Sequence, residues 1–114
     1  MYQTANRLSP VRRSLTRATL SRLRDIPSDE ALSLLAIHCK ADPTYVPLKD
    51  PRTHRWHVLT VCGEFEILTT GPAKWFDTRA QKGGGGAIDL TMHLLQVPFL
   101  EAVNRLLELK RPAA

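Results

Sequence analysis

Nowhere does the chain hold an apolar run near the ~20 residues that a membrane-spanning helix needs. Its two cysteines, Cys39 and Cys62, are too few for a disulfide framework, so reduced thiols and a cytoplasmic setting are expected. The N-terminus has arginines but no continuous apolar stretch, which argues against a secretory signal. Aromatic residues are scarce, at 6%. What remains is ordinary for a folded protein: 43% hydrophobic and 24% charged residues in 114, enough for one domain and too few for two good cores.

Charge of one sign is missing from the first 24 residues. They carry Arg7, Arg12, Arg13, Arg17, Arg22 and Arg24 and no acid, while the rest of the chain holds ten Lys/Arg against eleven Asp/Glu. The net +5 therefore belongs to residues 1–25, read as a basic, largely flexible arm. Such an arm suits phosphate, whose neutralisation releases counterions without reading sequence. The plainer alternative is a solvated leader. Val11, Leu15, Ala18 and Leu23 give this stretch only a weak helical pattern.

Order is expected from Ile26-Pro27-Ser28, with Ser28 as N-cap and Asp29 and Glu30 in the first turn. Leu32, Leu35, Ala36 and Cys39 recur at helical spacing, predicting one helix to about Cys39, stopped by Asp42-Pro43. Prolines 43, 47 and 51 mark a turn-rich connection. Alternation predicts strands over Arg55–Val61, Glu64–Thr70 and Lys74–Asp77, with Cys62-Gly63 turning the first hairpin. After the glycines, Ile88, Met92 and Leu95 line one helix. Val97-Pro98 interrupts it, and Phe99, Ala102, Val103 and Leu106 line a second. The expected fold is α+β: a small three-stranded antiparallel sheet with an N-terminal helix and two C-terminal helices, spanning 26–110, with 111–114 as a tail.

Gly83, Gly84, Gly85 and Gly86 form the first candidate site, because a glycine turn opening a helix can present free N–H groups to phosphate. No Gly-Lys-Ser/Thr follows, and the dinucleotide fingerprint is missing as well. Glycines that simply permit a sharp turn are the simpler explanation. For metal, only His54 and His57 have a zinc-pair spacing, Cys62 is a conceivable third ligand, and no fourth is obvious. Alternation puts residues 54 and 57 on opposite faces of a strand. No nucleophile has an assignable base and orienting group, so no catalytic residue is expected. Trp56 and Trp75, with Phe76 and Tyr45, lie among Lys49, Arg52, Arg55, Lys74, Arg79 and Lys82, a mixture that can stack on and neutralise a single strand. Trp56 reads better as core; Trp75 fits either role.

Gly84-Gly85-Gly86-Ala87-Ile88-Asp89-Leu90, then Met92, Phe99-Leu100-Glu101-Ala102-Val103 and Leu106, resemble the end of the DNA primase zinc-binding domain family (CHC2-type). That family reads roughly Gly-Gly-Asp-Ala-Ile-Asp-Phe, then Phe-x-Glu-Ala-Val and a leucine. A weaker likeness reaches upstream to about residue 26, through Arg55-Trp56 and Lys74-Trp75-Phe76. Thr78 and Gln81 stand where the family carries Cys-x-x-Cys, Gly86 stands at its first Asp, and its Cys-Pro-x-His knuckle is missing.

The resemblance implies the family's fold with the zinc ligands lost, as in primase-like proteins of plasmids and other mobile elements. Packing must then substitute for the ~10 kcal/mol that structural zinc can supply to folding. Trp56, Phe65, Ile67 and Trp75 of the sheet, with Ile88, Leu95, Phe99 and Leu106 of the helices, are the expected core. Asp77 and Asp89 are placed to close the old knuckle with hydrogen bonds. The implied function is a DNA-binding module, without catalysis or cofactor of its own, that contacts single-stranded template. Its implied partner is a Toprim catalytic domain or a helicase, in trans or in a longer chain. The expected contacts are Arg52, Arg55, Lys74, Arg79 and Lys82, with Trp75 stacking and Arg12, Arg13 and Arg17 adding non-specific affinity. The alternative is a module that docks a replication or conjugation protein without touching DNA.

Overall fold

The computed structural model describes residues 16–110. Their order is α1 (Arg17–Arg24), α2 (Ser28–Leu35), β1 (His38–Ala41), β2 (Thr53–Thr60), β3 (Gly63–Thr70), β4 (Lys74–Asp77), β5 (Lys82–Gly85), α3 (Ala87–Leu95) and α4 (Phe99–Leu109). The α+β class agrees with expectation, but the sheet has five strands, not three. They pair in sequence order, each antiparallel to the next.

The two extra strands have physical causes. At Ala36 the backbone turns extended (ψ 146°), and the Ile37 N–H donates to Leu59 O, so the exposed edge of β2 captures the chain. Ala36 and Cys39 fit a helical stripe in sequence, yet Cys39 sits half-buried on a strand in register with Val58. β5 is the glycine run itself. Glycine is a poor strand former, but residue 84 tolerates nothing larger. A Cβ there would lie 1.9 Å from Asp89 Oδ2 and 2.8 Å from Trp75 Cζ2. The turn into α3 comes one residue later, at Gly86 with φ +87°.

Order also begins earlier than expected. Thr16 caps α1 by accepting from Thr19 N–H, and Thr19 and Leu23 are buried where α1 meets α3 and α4. Residues 17–24 are thus part of the folded body, not of a flexible arm; Arg12 and Arg13 lie outside the described residues, as does the 111–114 tail. Ser28 is not a cap. It is the first helical residue, fully buried, and both its N–H and its hydroxyl donate to Pro72 O. That pair of bonds ties the α1–α2 joint to the β3–β4 turn.

One face of the sheet carries Val58, Thr60, Ile67, Thr69, Trp75 and Asp77, all buried. The helices cover it through Leu32, Leu90, Leu94, Val103 and Leu106, each fully buried and stabilising by about 1.5–3 kcal/mol. Of the expected core, Ile67, Trp75, Ile88 and Leu106 are buried, while Trp56, Phe65, Leu95 and Phe99 pack at its margin. No residue of the opposite face is buried.

Gly84→Ala is expected to destabilise the fold by about 2 kcal/mol or more, since overpacking typically costs 1–3. In Gly85→Ala the new Cβ would meet only Ala73 O at 3.9 Å, so stability should stay within about 1 kcal/mol of the parent. Equilibrium unfolding in urea measures both.

Candidate functional site

The uncovered face is built from alternate residues of each strand. Register places Arg55, Leu68, Phe76 and Gly83 in one row across β2–β5, and Thr53, Thr70, Lys74 and Gly85 in the next. Phe76 lies against the bare backbone of Gly83, where an added Cβ would sit 3.0 Å from its ring. A half-buried apolar centre therefore has a low glycine edge on one side and cations on the other.

The cations differ in how far their charge is compensated. Arg55 donates to Asp42 Oδ2 from Nε at 3.0 Å and Nη2 at 2.5 Å, lies 3.3 Å from Glu66 Oε2, and rests its guanidinium 5.1 Å above the Tyr45 ring. The Thr44 hydroxyl, then Arg55, hold the Asp42 carboxyl well below the usual carboxylate range. Arg52 wraps Asp50 with its backbone N–H, Nε and Nη2. Lys40, Lys74, Arg79 and Lys82 are exposed and form no ion pair among the described residues; nor do Arg17, Arg22 and Arg24, which α1 turns outward. Lys74 and Lys82 stand at opposite ends of the β4–β5 ladder.

Trp75 does not belong to this surface. It is 2% exposed on the helix-covered side, in register with Gly84, and cannot stack on a base. Its buried indole N–H has no hydrogen-bond partner among the described residues. Such an omission costs about 1–3 kcal/mol, which the ring's packing must outweigh. Side chains alternate along β4, so the aromatic ring on the uncovered face is that of Phe76, the next residue.

The 77–81 segment, where the primase resemblance would put a zinc knuckle, is closed by hydrogen bonds. Asp77 Oδ1 accepts from the N–H groups of Arg79 and Ala80 at 2.9 and 3.0 Å, and Asp77 Oδ2 lies 2.6 Å from His93 Nε2 of α3. Thr78 bonds β3 through its N–H and hydroxyl to Glu66 O, and Gln81, at φ 56°, donates from its amide to Thr78 O. Burial alone would raise the Asp77 carboxyl; bonds from Ala80, His93 and Arg79 outweigh it and hold the pKa below the ordinary value. An ionised carboxylate only accepts, so Nε2 of His93 is the donor. The His93 ring is further fixed by Trp75 at 5.0 Å and the edge of Phe65 at 5.8 Å. Sequence reasoning missed the role of His93, because nothing in a separation of 16 residues links a strand end to a histidine in the last turn of α3.

The other two candidates come apart. His54 and His57 are both exposed, on opposite faces of β2, and Cys62 donates its thiol to Leu95 O from the β2–β3 turn. Among the described residues no three His, Cys, Asp or Glu side chains are grouped to hold a metal ion. In the glycine run, two of the N–H groups a phosphate would need are occupied. Gly85 donates to Asp89 Oδ2 at 3.1 Å and Gly86 to Ala73 O at 2.9 Å.

Asp77→Ala should lose about 3 kcal/mol, as expected for breaking one side of a buried pair. Because the folded pKa of Asp77 lies below its unfolded value, this contribution is complete above about pH 4 and is lost as pH falls through the lower, folded-state pKa. Urea unfolding of both proteins from pH 6 down to pH 2 should show their difference shrinking only in the acid range. The likeness to primase domains rests on the motif residues alone: no protein-family model, curated protein or solved structure matches this chain.

Proposed function

We propose that the chain is a DNA-binding module of a primase-like replication protein, holding single-stranded template across the uncovered face of the sheet and assisting a separate catalytic domain. One observation carries this reading. An aromatic ring, Phe76, lies on an open face beside a side-chain-free strand, with exposed Lys74 on the same strand and Arg79 in the turn that follows, neither in an ion pair with a described acid. Flat access to a ring plus unpaired cations is what sequence-tolerant strand binding requires. Phe76 takes the stacking role, with Tyr45 beyond Arg55. Arg52 and Arg55, already bound to acids, shape the face more than they attract phosphate. Arg17, Arg22 and Arg24 extend the basic surface along α1. The motif likeness supports a Toprim domain or helicase as the partner, in trans or in a longer chain.

A docking module for a replication or conjugation protein is the second reading. Val46 and Leu48, 73% and 93% exposed around Pro47, favour it. On the last helix Leu100 and Leu109 are exposed, but nine residues apart.

Fluorescence anisotropy with a labelled oligothymidine tests the choice. Affinity should fall with salt, by about 0.7 log units per contacted phosphate for each log unit of salt. Replacing Arg17, Arg22 and Arg24 by alanine should flatten that slope by up to about 2. Phe76→Leu, which keeps the apolar contact with Gly83, should lose about 1–3 kcal/mol of binding. Absence of binding at low salt would leave the docking reading in its place.

A further inference from the structure

At the β1–β2–β3 end of the open face lies a pocket of about 200 Å³. Register sets His38, Leu59 and Glu64 in one cross-strand row, with His57 in the adjoining row. The bond from Thr78 N–H to Glu66 O draws the 78–81 turn against β3, and Arg79 completes the rim. The floor is the Leu59 side chain and the strand backbone at Val58 and Phe65, whose own side chains turn to the covered face. Drug-sized ligands occupy roughly 300–1,000 Å³, so this space suits a single planar group.

The rim has a definite chemistry. Glu64 offers a carboxylate, an acceptor only, while Arg79 offers up to five N–H donors. Both residues line the pocket, yet neither side chain makes an ion pair or hydrogen bond among the described residues, with the other or elsewhere. Two opposite charges that face one space without meeting fit a guest with donors on one edge and acceptors on another. Among the four bases guanine matches best. Its N1–H and N2–H groups are adjacent donors for a carboxylate, and O6 and N7 are adjacent acceptors for a guanidinium. Cytosine and adenine offer the carboxylate one amino group beside an acceptor, and thymine offers one N–H between two carbonyls.

We infer that this pocket takes one guanine base of the bound strand, with Glu64 on its N1–H/N2–H edge and Arg79 on its O6/N7 edge. The inference rests on the single-strand reading above and adds a base preference to it. Leu59 gives van der Waals contact to the base plane, and His38 and His57 close the sides.

Three labelled probes test it: an all-thymidine strand, the same strand with one central guanine, and the same strand with hypoxanthine, which lacks the N2 amine, in that place. The guanine probe should bind at least about fivefold more tightly than the thymidine probe, the lower end expected of a specific bidentate contact. Hypoxanthine should forfeit most of that gain, and Glu64→Gln, an exposed substitution, should remove the guanine preference. Equal affinity for the guanine and thymidine probes, or a preference that survives Glu64→Gln, overturns the guanine pocket while leaving strand binding in place. If no probe binds at low salt, the single-strand reading falls and the pocket's assignment with it.

Discussion

Three groups converge where the backbone of Gly84, the carboxylate of Asp89 and the indole of Trp75 meet, and the rest of the structure depends on that closeness. Because residue 84 has no side chain, Trp75 can lie flat in the core beneath β5 and Asp89 can reach back to the Gly85 N–H. That reach fixes the start of α3. From there Ile88, Leu90 and Leu94 enter the core, and α3 meets α1, α2 and α4. All the described helices are thereby gathered on one side of the sheet. The other side stays open as a result of where the helices are held, and its character follows from the alternate residues of strands selected for their buried partners.

How much of this could be read from residues alone differs by element. The strands at 55–60, 64–70 and 74–77 were legible because alternation there is unbroken, and both C-terminal helices because Ala102, Val103 and Leu106 leave no rival periodicity. β1 was not legible. Ala36 and Cys39, three residues apart, fit the helical period and not the strand period of 2, and only the empty edge of β2 overrides that signal. β5 was hidden by composition, since glycine advertises a turn and its need here is steric and long-range. Leu23 was visible as apolar, but its burial depends on a groove formed by helices that begin more than sixty residues later.

The candidate surface was legible as a set of charges and illegible as a balance of them. Sequence lists Arg52 and Arg55 beside Lys74 and Arg79 as equals. In the fold, Asp50, Asp42 and Glu66 pair with the two arginines and form no ion pair with Lys74 or Arg79. Strand parity separates Trp75 from Phe76 just as sharply. Adjacent residues in a strand face opposite ways, so one belongs to the core and the other to the surface, and only the register with β3 says which.

The meander carries a consequence for how the molecule assembles. Every strand pairs with its neighbour in sequence, so from β2 onward the sheet can grow by closing short hairpin loops in succession, with the longer 42–52 connection adding β1. The helices obey the opposite rule. α1 and α2 are made first, yet their burial partners α3 and α4 come last, as the ion pair between Glu30 and Lys110 across 80 residues makes plain. During synthesis the first two helices must therefore wait, with Leu23, Leu32 and Leu35 uncovered, until the C-terminal pair emerges. Docking α1 and α2 against α3 and α4 is the contact of greatest sequence separation in the fold, the kind that slows folding most.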